Sequence, residues 1–184
     1  MQVVTLMTDA SPRLLSLTAF DDLLLYRLSR LLGVAGSLVT RLCEGRYGIT
    51  RREWRVMALL AEGEGLQSSQ LAYRAQLDRA RTSKAITALV GKKLLQRQAR
   101  PGDRRQVVLS LSAEGRALYA ALYPQVVALN RELLTSLTTD AVAGLDLALT
   151  QLQQKADAVL AQADLPKANR RQGKRTPKAP ESAL

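Results

Sequence analysis

A chain of 184 residues, 47% hydrophobic, can bury one sizeable core, and its 27 Lys and Arg against 16 Asp and Glu leave a formal charge of +11. A surplus of that size points to a polyanionic partner. The sequence contains no His and a single cysteine, Cys43, which excludes a Ser-His-Asp triad, a Cys-His pair, a His-dependent zinc site and an internal disulfide. No cofactor, metal site or catalytic residue is therefore expected, and the chain reads as a non-enzyme. Met1 to Met7 lacks a basic region ahead of an apolar run, and no stretch approaches ~18 continuous apolar residues. We expect a cytoplasmic, nucleoid-associated protein with no membrane partner.

In chain order, residues 1–20 have no clear period and read as a flexible arm. Residues 21–48 form a helix and turn in which Leu24, Leu28, Leu31, Leu32, Ala35, Leu38, Val39 and Leu42 make one apolar stripe. Gly33 and Gly36 flank Ala35, and each weakens an isolated helix by ~1 kcal/mol, so close packing against another helix is expected there. Cys43, at the end of this helix, reads as a buried structural thiol. The second helix has a well-marked start: Thr50 and Glu53 form a capping box, with Ile49 and Trp54 placed as a hydrophobic staple. It runs to Glu62-Gly63-Glu64-Gly65, and a third helix follows with Leu71 and Ala72 on its inner face.

The stretch from Leu71 to Leu111 organises the rest. A short helix turns through Leu77-Asp78 into a fourth helix capped by Asp78, with Thr82, Ala85, Ile86 and Leu89 inward. Arg79, Arg81, Ser83, Lys84 and Thr87 are left outward or at the first turn, together with Ala80 and Gly91. Small residues beside long cations let a helix backbone approach base edges while the cations reach guanine or phosphate. An ordinary solvated basic face would look the same in isolation, but a hairpin follows. Gln96 to Arg100 and Gln106 to Leu111 flank the Pro101-Gly102 turn, and Arg97, Arg100, Arg104 and Arg105 cluster about its tip. Four arginines there repel one another unless Asp103 or an anion neutralises them, and a minor groove supplies such a field. Helix, turn, basic helix and basic hairpin is the order of a winged helix-turn-helix.

Ser112 caps a fifth helix, running to about Leu137, whose Leu118, Leu122, Val126, Leu129, Leu133 and Leu137 have near-heptad spacing; Pro124 should kink it. Thr138 caps a sixth, with the stripe Val142, Leu145, Leu149, Leu152, Ala156 and Leu160. Long apolar helices at both ends of a small domain need a second copy to cover them, which predicts a homodimer. The tail, 164–184, carries six basic residues against Glu181 from Lys167 onward and reads as disordered. The expected fold is therefore mainly α with a small β-hairpin wing: a winged helix-turn-helix domain over 49–112, flanked by dimerisation helices over 21–48 and 113–163.

These residues resemble the MarR-type transcriptional regulators. Ile49 to Val56 is similar to the family's LTxxQWxVL segment, Leu71-Ala72 to the Leu-Ala of its third helix, and Leu94-Leu95-Gln96-Arg97 to GLVxR. Asp103-Arg104-Arg105 with Leu109 to Gly115 is similar to the wing signature DxR…LTxxG. The resemblance implies that Asp78 to Val90 is the recognition helix, that Arg105 enters the minor groove, and that Asp103 holds its guanidinium. It also implies a homodimeric repressor on a pseudo-palindromic double-stranded DNA operator, released by a small anionic aromatic effector. In this chain the effector cleft would be lined by the first, second and fifth helices, with Arg27 or Arg30 for a carboxylate and Tyr26, Tyr47 or Trp54 for a ring. One position departs from the family: Lys93 stands where Gly usually closes the recognition helix in a left-handed turn. The competing reading of the same basic residues is a sequence-nonspecific architectural DNA-binding protein.

Overall fold

The computed structural model describes residues 12–100 and 103–165, with backbone only at residues 100 and 103–105. The expected N-terminal arm lies largely outside the described residues, as do the Pro101-Gly102 turn and nearly all of the basic tail. The chain divides into two compact units, Met1–Ser136 and Leu137–Leu184.

In the first unit a short 3₁₀ turn, Phe20–Asp22, leads into α1 (Leu24–Arg41), which widens into a π turn at Leu42–Arg46. Then come α2 (Arg51–Glu62), α3 (Ser68–Arg74), α4 (Arg79–Gly91), β1 (Leu95–Arg100), β2 (Asp103–Leu111) and α5 (Ala113–Leu134). The first helix starts at Leu24, with its apolar stripe and three residues after the expected start at residue 21, because Asp22 diverts the chain. Its buried carboxylate accepts from Thr18 N, Thr18 Oγ1, Ala19 N and Arg13 Nε at 2.9–3.1 Å, which folds residues 12–22 into a compact turn. Those bonds, the Thr18 N–H foremost, hold the Asp22 pKa down to about 2.

The core is formed by the helix-turn-helix and its neighbours. Met57 and Leu60 of α2, Leu71 of α3, Leu89 of α4, Leu111 of β2 and Leu122 of α5 are all fully buried in one cluster. Full burial of such side chains contributes ~1.5–3 kcal/mol each, so this cluster dominates the stability of the unit. Thr50 Oγ1 accepts from Glu53 N while Glu53 Oε2 accepts from Thr50 N, the capping box the sequence predicts. Ile49 and Trp54 are both buried beside it. Trp54 stacks on Tyr119 at 5.4 Å, and Tyr119 on the half-exposed Tyr123 at 5.2 Å.

The hairpin pairs antiparallel from Leu95↔Leu111 to Ala99↔Val107, with an irregularity before Arg100↔Asp103; β2 thus begins three residues earlier than its apolar pattern. Leu66, in the α2–α3 loop, makes a further bridge to Leu109 and ties the base of the wing to the helices. Gly33 has open space around it, whereas Gly36 is buried against the guanidinium of Arg51 at the start of α2; a Cβ there would lie 2.4 Å from Arg51 Nη1.

Pro124 is carried within a continuous α5, whose N-terminal half supplies Leu118, Leu122 and Val126 to the core. Its later Leu133 is substantially exposed, as are Leu25, Leu31, Leu32 and Val34 on α1. Among its described residues the second unit carries one helix, α6 (Thr139–Gln162), capped by Thr138 Oγ1. None of its residues is buried, and Leu145, Leu149, Leu152 and Leu160 leave its stripe bare. No helix among the described residues is long and apolar enough to cross a membrane.

Candidate nucleic-acid interface

The turn between α3 and α4 fixes how the basic helix is presented. Gln76 takes φ +52°, with Gln76 N–H donating to Tyr73 O at 3.1 Å and Leu77 N–H to Ala72 O at 3.0 Å. This is a Schellman closure built without glycine. Arg55 of α2 clamps the same turn, its Nη1 donating to Ala75 O at 2.8 Å. Asp78 then caps α4, accepting from Arg81 N at 2.8 Å and pairing with Arg81 Nε at 3.3 Å.

From that start the helix divides as its sequence pattern predicts. Thr82, Ala85, Ile86 and Leu89 are buried; Arg79, Arg81, Ser83, Lys84 and Thr87 are exposed on one basic face. Arg81 is partly neutralised by Asp78, whereas Arg79 and Lys84 take part in none of the ion pairs among the described residues. The face can therefore offer two uncompensated cations and two hydroxyls to a groove.

The far end of α4 resolves the Lys93 departure. Lys93 adopts φ +60°, with its N–H donating to Val90 O at 3.0 Å and Leu94 N–H to Leu89 O at 2.9 Å. The helix ends in the glycine-type Schellman motif with a lysine in the left-handed position, at a cost of ~1 kcal/mol, so the wing leaves at the angle a glycine would give. Ser112 locks the junction: its Oγ donates to Lys93 O at 2.6 Å and accepts from Gly115 N at 2.9 Å.

Between α4 and the wing lies a cleft of about 270 Å³ lined by Ser68, Ser83, Ile86, Arg97, Val107 and Leu109. It brings Ser83 beside the wing's Arg97. Asp103, Arg104 and Arg105 are placed at the start of β2; their side chains lie outside the described atoms, so Asp103 as support for Arg105 stays an expectation.

Of the residues singled out for an effector, Tyr26, Arg27 and Arg30 stand together, and Tyr47 and Trp54 lie elsewhere. Arg27 and Arg30 line a cleft of about 400 Å³ with Arg13, Asp21, Leu31 and Val34. Tyr26 stands beside them, 4.2 Å from Phe20 between ring centroids, with Arg30 Cζ 6.0 Å from its ring. Asp21 pairs with Arg30 at 3.6 Å, and Arg27 takes part in no ion pair among the described residues. Tyr47 instead donates to Ala121 O on α5 at 3.2 Å and accepts from Gln125 Nε2, and Trp54 is held in the core stack. Cys43 is fully buried, and burial, with Glu44 next to it, pushes its thiol pKa up, which opposes the thiolate a redox sensor needs.

Two features escaped the sequence. Lys92 Nζ donates to both Gly48 O and Glu53 Oε2 at 2.8 Å, tying the end of α4 to the capping box of α2. No spacing rule connects residues so far apart. Arg51, Arg52 and Arg55 line one cleft at the start of α2, and there the i, i+4 arginines were a visible signal.

Residues 47–106 match the model of the MarR family. The chain is 30% identical over 95 residues to the homoprotocatechuate degradative operon repressor of Escherichia coli, a match spanning 52% of this chain and 64% of that protein, just under two thirds of its length. It is similar in structure to a probable transcriptional regulator from Pseudomonas aeruginosa, with a TM-score of 0.62 and 26% identity over 73% of this chain and 99% of that one. The PcaV transcriptional regulator of Streptomyces coelicolor, solved with its natural ligand, also has a TM-score of 0.62, at 22% identity over 75% of this chain and 97% of its own. With helix-turn-helix, Schellman-closed basic helix and two-stranded wing in the family's order, residues 47–106 are a segment similar to the MarR family of winged helix-turn-helix proteins.

Proposed function

We propose that the protein is a homodimeric transcriptional repressor that binds a pseudo-palindromic operator and leaves it when a small anionic aromatic compound binds. The observation that carries the DNA-binding part is the single exposed basic face of α4, rigidly presented between two Schellman closures and flanked by an arginine-bearing wing. Arg79, Ser83, Lys84 and Thr87 are the base and phosphate contacts, Arg81 shares its charge with Asp78, and Arg104 and Arg105 serve the minor groove. Half-sites would lie about one helical turn, ~10 bp, apart.

The dimer reading rests on uncovered apolar surface: Leu25, Leu31 and Leu32 on α1 and Leu149, Leu152 and Leu160 on α6 are each at least two fifths exposed. Effector release rests on Tyr26, Arg27 and Arg30: Arg30, paired with Asp21, stands over the Tyr26 ring, and Arg27, in none of the ion pairs among the described residues, lines the same cleft. Homoprotocatechuate, whose degradative operon the E. coli relative represses by name, is itself an aromatic carboxylate and fits that chemistry. Tyr47 and Trp54 are already engaged within the fold, so they contribute to such a site only indirectly.

The test is binding of the purified protein to DNA upstream of its own gene, at near-physiological salt with random competitor, with and without a panel of aromatic carboxylates. Specific binding released by one of them is expected. Equal affinity for random DNA would replace this reading with a nonspecific architectural binder.

A further inference from the structure

The cleft at the start of α2, about 340 Å³, is lined by Arg51, Arg52, Arg55, Thr40, Thr50, Glu44 and Leu77. Three guanidinium groups face one carboxylate, so the lining carries a net positive charge. None of the three arginines takes part in an ion pair among the described residues. Two of them are held in place by the fold. Arg51 is half-buried, its guanidinium lying against α1 where Gly36 has no side chain to displace it. Arg55 is fixed by its bond to Ala75 O, which leaves its other N–H groups free to donate. Only Arg52 is exposed without a described hydrogen bond. Fixed, uncompensated guanidinium groups beside hydroxyls make a recognition site for tetrahedral oxyanions, because the forked donors match two oxygens at once.

The position of the cleft decides which oxyanion. Leu77 on its rim immediately precedes Asp78, the N-cap of α4, and Arg55 grips the turn that aims that helix. When the first turn of a recognition helix is in the major groove, the turn ahead of it lies over the bounding phosphate backbone. We infer that this cleft seats a backbone phosphate of the bound duplex, extending the footprint from α4 onto the start of α2. The inference rests on the DNA-binding reading. A phosphate contact of this kind adds affinity and fixes register without reading sequence. A free phosphate ester has the same chemistry, and the experiment below separates the two sources.

The assay is the salt dependence of binding by fluorescence anisotropy, for operator and random duplexes, comparing wild type with Arg52→Ala and Arg51→Ala/Arg52→Ala. Arg131→Ala on α5, which removes the same charge away from the cleft, is the control. Each phosphate contact contributes ~0.9 to the slope of log K against log salt, so Arg52→Ala should lower its magnitude by about one. It should also weaken both duplexes several-fold in equal proportion, with the double variant falling further and Arg131→Ala unchanged. Unaltered thermal unfolding of Arg52→Ala shows that the loss is one of contact. A wild-type slope in both cleft variants would overturn the inference while leaving the repressor reading intact; no DNA binding by the wild type would sink the repressor reading itself. Titration with pyrophosphate in the absence of DNA covers the other source: saturable binding lost in the double variant, with its DNA slope unchanged, would assign the cleft to a free phosphate compound and refute the backbone contact.

Discussion

Gly115→Ala is the substitution for which the structure gives the most definite consequence. Gly115 lies in the first turn of α5, and a Cβ built there falls 2.0 Å from Leu94 O, 3.0 Å from Leu94 C and 3.4 Å from Leu111 Cδ2. An ordinary C···O contact is ~3.3 Å, so backbone must separate by more than 1 Å at a place where neither side is free. Leu94 O accepts from Ser112 N at 3.1 Å, and Gly115 N donates to Ser112 Oγ at 2.9 Å. Overpacking against backbone costs ~1–3 kcal/mol, and a strained cap and a strained hydrogen bond add ~1 kcal/mol each. Alanine's better helix propensity returns ~1 kcal/mol. The net expectation is a loss of ~2–4 kcal/mol, which for a chain of this size lowers Tm by ~4–16 °C. Thermal unfolding followed by circular dichroism, at fixed protomer concentration, measures it. Gly91→Ala, with nothing within 4 Å of its Cβ, should leave Tm unchanged or raise it slightly. A Tm for Gly115→Ala equal to or above the wild type would refute the close approach of α5 to the chain at the end of α4.

Lys93→Gly should act oppositely: relief of the left-handed lysine outweighs the added freedom of the unfolded chain, raising stability by up to ~1 kcal/mol in a denaturant titration, and a loss would show that Lys93 contributes more than its backbone. Asp22, whose pKa of about 2 lies below the ordinary 3.8, stabilises the turn before α1 at any pH above 3.8, and that contribution fades as pH falls towards about 2. The amide protons of Thr18 and Ala19 should lose protection over that interval, and protection persisting below pH 2 would contradict the carboxylate's role. Arg105→Ala should weaken DNA binding with an unchanged Tm; full affinity in that variant would remove Arg105 from the interface.

How much of this was legible in the sequence depends on the range of the interactions. The Thr50–Glu53 capping box, the Asp78 cap and the buried set Thr82, Ala85, Ile86 and Leu89 are local, and the spacing of a few residues specifies them completely. The left-handed Lys93 was legible only as a conflict, because sequence poses the choice between strain and a different helix end while the Ser112 bond to Lys93 O decides it. The two glycines of α1 suggested helix packing, but the partner at Gly36 is a guanidinium from α2, a contact no periodicity encodes. Likewise, aromatic and basic residues chosen singly for an effector are sorted by the fold into separate environments. Trp54 serves the core through Tyr119, and Arg27 and Arg30 face a different cleft.

The bond from Lys92 to Gly48 O and Glu53 Oε2 has a consequence for how such a protein can be switched. Helix α4 is gripped at both ends by the same neighbour, through Arg55 at its leading turn and through Lys92 at its trailing one. It has no independent tilt to give up. On the proposed repressor reading, a signal arriving elsewhere would have to swing helix, wing and α2 as one rigid head, so that what changes in the proposed dimer is the distance between two unaltered reading surfaces. Control exercised that way selects on operator geometry: half-sites moved apart or together by a base pair would shift the response to the signal as strongly as a change in the bases themselves.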